Sequence, residues 1–448
     1  MGHRLTVLLT ASVVAASGLA VTATPAFSAA PAAARTAALA ASTAGEFTPV
    51  GPNRILDTRI GQGLVSKIGA GSTRTLQVTG AGGVPGGGQA AAVVFNLTVT
   101  NPSASSYVTV WPTGASRPTA SNINFRAGWT GANLVTVGLG TNGQVNFYNK
   151  AGSVDVIGDV VGWYSSASAT GTGNFQVLGT PTRLWDSRPS STIPGNHVPM
   201  AGGDKLTIPI DVSQGTTSAN AHVKAVVVSL TAVNPDSGGH LTAWSGSGSP
   251  PTASVLNYSA GSVVPNLAVV PTTLCCGGFP SFTILNSSNG HTNILVDLWG
   301  FYDDGGLSGG LKFKSLSAPI RIVDTRTGLG GASTLGTGST RHILAPGSVA
   351  GAPTQLLVQN VTSIPSANTY LTFWPAGQSR PTVSNLNPRA NHVVAGLAYT
   401  GVGASNDFSF YNYSGADDVV VDVAGSMEAD SGAGPAGAGA VAVAPVAH

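Results

Sequence analysis

The chain has 448 residues, is 42% hydrophobic and only 8% charged, and carries a formal net charge of +2. That is more chain than one ordinary domain needs and enough apolar matter for packed cores, while so even a charge balance argues against nucleic acid or an anionic membrane as the main partner. Glycine (60) and proline (28) are abundant, and Lys+Arg total 20 against 18 Asp+Glu, a mixture suited to short strands and tight turns rather than amphipathic helices.

Residues 1–28 read as a secretory signal peptide. His3 and Arg4 give a short basic start, an apolar run extends from Leu5 to about Val21, and Ala26-Phe27-Ser28 offers a cleavage site before Ala29. The run is short for a membrane anchor and rich in Ala, Ser and Thr. No later stretch is long and apolar enough to span a bilayer, so the mature chain is expected outside the cytoplasm and clear of the membrane. Residues 29–46 form an Ala-rich linker expected to be disordered.

One pattern then occurs three times, over 47–164, 175–302 and 313–427. Each copy opens on an Arg-Asp-Arg segment: "RILDTR" (Arg54, Asp57, Arg59), "RLWDSR" (Arg183, Asp186, Arg188) or "RIVDTR" (Arg321, Asp324, Arg326). A strand follows, "AVVFNLTVTNP", "AVVVSLTAVNP" or "LLVQNVTSIP". Next come "YVTVWP", "HLTAWS" or "YLTFWP", then "RPTASNINF", "PPTASVLNY" or "RPTVSNLNP". Each copy ends on an apolar strand with one acid inside it, Asp159, Asp297 or Asp422. The connectors "SSASATGTGN" and "DDGGLSGGLK" are polar and Gly-rich, as flexible linkers are. Residues 428–448 are a low-complexity tail not expected to fold.

A period above 100 residues is too long for a solenoid, and each copy is long enough to bury its own core. In the first, Val93, Phe95, Leu97 and Val99 alternate with Val94, Asn96, Thr98 and Thr100, the period-2 mark of a half-buried strand. The closing strand is apolar on both faces and therefore central. These patterns predict an all-β protein of three tandem antiparallel β-sandwich domains, jelly-roll or Ig-like.

A buried carboxylate is costly unless paired, and Arg is its natural bidentate partner. One Arg of each opening segment is therefore expected to pair with the closing-strand Asp, tying first strand to last. An Arg beside each Asp also argues against a metal site. Ligand-binding candidates lie elsewhere. Tyr107 and Trp111, with His240 and Trp244 and with Tyr370 and Trp374, each share a strand face with a Thr and could stack on sugar rings if exposed; the alternative is indoles that cap the core and bond to backbone. Asn122 and Asn124, Asn257, and Asn385 and Asn387 offer paired donors and acceptors for hydroxyls, or serve as turn residues. The only cysteines, Cys275 and Cys276, are adjacent, and their roughly 3.8 Å spacing is tight for an ordinary disulfide. They form a strained vicinal disulfide, a free pair, or a link to another chain.

No G-x-S-x-G, H-E-x-x-H, P-loop or C-x-x-C motif is present, and no cofactor is implied. The series "RILDTR … VVFNLTVTNP … YVTVWP … RPTASNINF … DVIGDVVGWY" resembles a tandem β-rich repeat of secreted actinobacterial proteins, found alone or beside secreted peptidases and other hydrolases. The resemblance implies an extracellular or envelope β-module with no established activity or binding residues. The expected function is non-enzymatic binding or adhesion at the bacterial cell surface, with polysaccharide as partner. The alternatives are a purely structural envelope component and a hydrolase with an unrecognised site.

Overall fold

The alternating segments become twenty-four strands between Phe47 and Ala429, with a single four-residue α-helix and two short 3-10 turns among the described residues. The computed structural model describes residues 44–167, 169–193, 197–212, 217–429 and 444–445. The signal peptide, nearly all of the Ala-rich segment and most of the tail lie outside the described residues.

The first repeat contains β1 (Phe47–Asp57), β2 (Thr73–Gln77), β3 (Ala90–Thr100), β4 (Ser106–Pro112), β5 (Ile123–Phe125), β6 (Gly131–Gly138), β7 (Gln144–Asn149) and β8 (Asp155–Ser165). They form two antiparallel sheets, ordered β1-β8-β3-β6 and β2-β7-β4-β5. This two-sheet, eight-strand order is a jelly roll. The second repeat follows with β9 (Phe175–Asp186), β10 (Lys205–Asp211), β11 (Ala225–Val233), β12 (Gly239–Trp244), β13 (Leu256–Tyr258), β14 (Val263–Pro271), β15 (Thr273–Cys275), β16 (Phe279–Ser287) and β17 (Asn293–Tyr302). Its sheets run β9-β17-β11-β14 and β10-β16-β12-β13, with β15 added as a short arm on β16. The third has β18 (Leu311–Asp324), β19 (Ser339–Leu344), β20 (Thr354–Pro365), β21 (Leu371–Pro375), β22 (Val394–Gly401), β23 (Asp407–Asn412) and β24 (Asp417–Ala429). Its sheets are β18-β24-β20-β22 and β19-β23-β21. Strand β24 thus takes in the first two residues assigned to the tail, and Ala444–Pro445 pairs with β10 as β25.

Each repeat has its own core between its sheets, built in the first from Val93, Phe95, Leu97, Val108, Val110 and Phe147. A further core draws on all three repeats. Here Ala92 and Val94, Ala225 and Val227, and Leu356 and Val358 point away from their own sandwiches and toward one another. The inner sheet of each repeat is therefore buried on both faces, which explains the all-apolar closing strands.

Aromatic residues fill the junction. Phe47, Phe175 and Phe313 open the three repeats and lie over Gly162, Gly300 and Gly425 of the closing strands, where a Cβ would run into the ring. Phe47 stacks on Tyr302 with centroids 4.0 Å apart, and Phe313 lies 4.4 Å from Tyr164. The hydroxyls of Tyr164, Tyr302 and Tyr399 meet in this core, at 2.5 Å (Tyr164–Tyr302), 3.1 Å (Tyr302–Tyr399) and 3.3 Å (Tyr164–Tyr399). A hydroxyl both donates and accepts, so a ring of three satisfies itself without water. Burial raises the pKa of all three, Tyr164 and Tyr302 most. The departure of the third copy, Met427 where the others have Tyr164 and Tyr302, does not loosen its closing strand: Met427 is fully buried and Tyr399 of β22 brings the missing hydroxyl.

The Gly-rich connectors are not free linkers. Phe47 N donates to Gly173 O (2.7 Å) and Gly173 N to Phe47 O (3.1 Å), Gly45 and Phe313 exchange both backbone bonds, and Leu311 pairs with Phe175. The buried carboxylate of Asp303 accepts from Asn174 N, Gln176 Nε2 and Gly305 N. The strand starts need these partners because they sit against the shared core, where open backbone groups are costly. Three repeats sharing a core should unfold together. Urea titration followed by indole fluorescence and by far-UV circular dichroism is expected to give one coincident transition, shifted by about 1–2 kcal/mol in Tyr302→Phe.

Candidate functional site

Strands β1 and β8 are neighbours, with Arg54 opposite Asp159. Arg54 Nε donates to Asp159 Oδ1 at 2.8 Å and Nη2 to Oδ2 at 3.1 Å, a two-pronged bond. Its Nη1 reaches Asp57 Oδ2 at 3.3 Å, and Arg59 grips Asp57 through Nε (2.9 Å) and Nη2 (2.7 Å). The charges alternate as Arg59, Asp57, Arg54, Asp159. The same chain forms from Arg188, Asp186, Arg183 and Asp297, and from Arg326, Asp324, Arg321 and Asp422. Hydrogen bonds from Arg59 hold Asp57 below the usual carboxylate range, and Arg326 does the same for Asp324. Burial outweighs the Arg partner at Asp159 and Asp422, whose pKa values rise.

These arginines also reach between repeats. Arg54 Nη2 donates to Thr252 O (3.1 Å), and Arg321 Nη2 to Thr119 O (2.9 Å). Beside them, Asn96 Nδ2 donates to Ser254 O and Asn360 Nδ2 to Ser121 O. The "RPTASN" loop is thus seated on a neighbouring repeat.

The loop asparagines are largely occupied within their own repeats. Asn122 Oδ1 accepts from Val110 N (2.6 Å) and Asn385 Oδ1 from Phe373 N (2.8 Å). Asn124 and Asn257 each accept from the Ser three residues earlier. Asn387 is half-buried. The Tyr–Thr–Trp face is not an open platform either. Trp111, Trp244 and Trp374 are 4%, 5% and 8% exposed, because the loop folds back across the strand. Trp111 Nε1 donates to Ala115 O and Trp374 Nε1 to Gln378 O, while Thr109 Oγ1 and Thr372 Oγ1 donate to loop carbonyls. Arg117 covers the ring of Tyr148 and Arg380 that of Tyr411. Tyr107 leans toward Tyr148, and Tyr370 stacks on Tyr413. His240 is half-buried, pairs with Asn257 across β12 and β13, and has its pKa lowered by burial. Cys275 and Cys276 are joined to each other at the tip of the β15–β16 arm.

Open space remains at the junctions between repeats. A cavity of about 460 Å³ lies between repeats 1 and 2, lined by Arg126, Trp129 and Thr130 on one side and Asn257, Tyr258 and Ser259 on the other. Trp129 is half-buried, and Arg126 and Ser259 are exposed. Tyr258 is held by Asn286, to which its hydroxyl donates. Equivalent loops are bridged at the other junctions: Arg126 Nη1 contacts His392 Nε2 at 2.8 Å, and Arg389 Nη2 donates to Gly261 O at 2.6 Å. Burial and the two guanidiniums lower the pKa of His392. Of the residues expected to bind ligand, only Asn257 lines this cavity. Arg126, Trp129, Tyr258 and Ser259 were not singled out. Their signal was the disagreement among copies, Arg126, Ser259 and Arg389 at one position and Trp129, Ser262 and His392 at another.

Among the described residues, no group of three or more His, Cys, Asp or Glu is arranged to hold a metal ion. No protein-family model and no curated protein matches the chain. Similar solved structures include the N-terminal CBM22-1-CBM22-2 tandem domain of Paenibacillus barcinonensis Xyn10C, 8% identical over 55% of this chain and 98% of that one, with a TM-score of 0.17. The triple jelly roll of an archaeal virus is 11% identical over 85% of this chain and 90% of that one, with a TM-score of 0.17. A chain of Sulfolobus Turreted Icosahedral Virus is 11% identical over 80% and 85%, with a TM-score of 0.16. Scores this low carry no weight, and the jelly-roll assignment rests on strand order alone.

Arg54→Gln leaves Asp159 buried and unpaired, so chemical denaturation should show a loss of about 3–5 kcal/mol; Arg326→Gln, at a half-exposed position, should lose about 1 kcal/mol or less. Asp417 is fully buried, accepts from Ser363 Oγ (2.6 Å) and Ile364 N (2.9 Å), and is pushed by burial from an ordinary 3.8 up to about 6. The folded chain keeps this proton longer than the unfolded chain. This group's contribution to stability therefore falls as pH rises from about 4 through about 6. Asp417→Asn should gain stability relative to the parent across that window, with the two converging toward the acid end.

Proposed function

We propose that the protein is a secreted, non-enzymatic glycan-binding protein of the bacterial cell surface, and that it binds in the cleft between repeats 1 and 2. The carrying observation is the cleft itself: an indole, an exposed guanidinium, an amide and hydroxyls border a cavity about the size of a few sugar rings. An indole face suits the apolar face of a pyranose. Asn257 uses its Oδ1 internally, which leaves its NH2 for a ligand hydroxyl.

A purely structural envelope role is favoured by one observation, the seating of the "RPTASN" loops on neighbouring repeats, which uses polar groups internally. Binding of the full chain to a panel of soluble glycans and peptidoglycan separates the two. The glycan reading expects retention on at least one polymer and a loss of about tenfold or more in Trp129→Ala. Trp111→Ala should leave binding unchanged wherever its far-UV spectrum is unchanged. Failure to bind any glycan would favour the structural role.

A further inference from the structure

We propose that the ligand of this cleft is acidic: a polysaccharide whose carboxylate or phosphate faces Arg126 while a sugar ring lies against Trp129. This rests on the glycan-binding reading and names its substrate class. The cleft lining contains a guanidinium and no carboxylate. Among the described residues, neither Arg126 nor Arg389 forms an ion pair, although most other arginines of the repeats grip an Asp. Their contacts are to His392 and to Gly261 O, both neutral when His392 is unprotonated. Two guanidiniums around one imidazole leave a local positive excess in a chain of nearly even charge.

The donors point the same way. Arg126, the Asn257 amide NH2 and the Ser259 hydroxyl border the cavity. A guanidinium fork matches a carboxylate or phosphate in geometry and charge. A neutral sugar would cover Arg126 without supplying a counter-charge, whereas an acidic one supplies it. Exposure of Arg126 keeps this attraction screened by salt.

The test is binding of the full chain to polygalacturonate, poly(glycerol phosphate) and a neutral glucan of matched length. Isothermal titration would be run at about 20 mM and about 300 mM salt. The expected result is binding of an acidic polymer but not the glucan, weakened by salt. Arg126→Gln should weaken it about tenfold. So should Ser259→Asp, which sets a carboxylate at the exposed rim, while Arg74→Gln on the far edge strand should change nothing. The two acidic polymers, with free galacturonate and inorganic phosphate as competitors, show which acid group is taken. Equal binding of glucan and acidic polymers, lost in Trp129→Ala, would overturn the acidic ligand and leave the glycan reading standing. Equal weakening by Arg74→Gln and Arg126→Gln would mean diffuse charge and would also overturn it. No binding to any polymer would overturn both.

Discussion

The two-pronged bond from Arg54 to Asp159 is the contact on which the architecture turns. Asp159 lies inside a strand buried on both faces, where an unpaired carboxylate would be costly. Its partner comes from the opening strand of the same repeat, so the domain cannot close without bringing its ends together. The guanidinium has donors to spare, and one goes to a carbonyl of the next repeat. Closure of one jelly roll thus prepares the surface on which the next is seated. A lysine could neutralise Asp159 but could not fork to it and also reach the neighbouring loop in a fixed plane.

The copies differ where the shared core allows exchange. Tyr399 serves from another strand for the tyrosine that Met427 replaces. Asn266 donates to Asn96, and Asn133 to Asn360, across two junctions. The corresponding residues of repeats 2 and 3 are Ser229 and Gly396, so donor and acceptor are missing together. Arg117 with Tyr148 and Arg380 with Tyr411 give way in repeat 2 to Pro250 and Leu285, again as a pair. Burying one amide without the other would leave an unsatisfied group, so paired loss costs less than single loss.

Periodicity made the strands legible, and the spacing of Arg and Asp made their pairing legible, because both are local patterns repeated along the chain. The seating of repeats on one another was not. Val94 and Val227 read as the other half of an alternation, and nothing in a strand's own sequence tells solvent from a neighbouring sheet. The indoles left two readings open for a related reason. Trp111 shares a face with Tyr107, but the loop that covers it begins only after the strand ends, and a face count cannot see a loop folding back.

The cleft follows from the same geometry. Identical repeats around a shared core would build identical junctions, and identical junctions would be bridged alike. Two are bridged by an arginine reaching across, from Arg126 to His392 and from Arg389 to Gly261. The second repeat has Ser259 where the others have Arg126 and Arg389, and Ser262 where they have Trp129 and His392. Short side chains cannot span the gap, so the junction facing Trp129 stays open. The open junction needs no structure of its own, only the loss of a bridge that the other two keep. A chain built from three similar domains can in this way leave one loop junction unbridged while the other two are bridged, placed where the repeats have drifted apart.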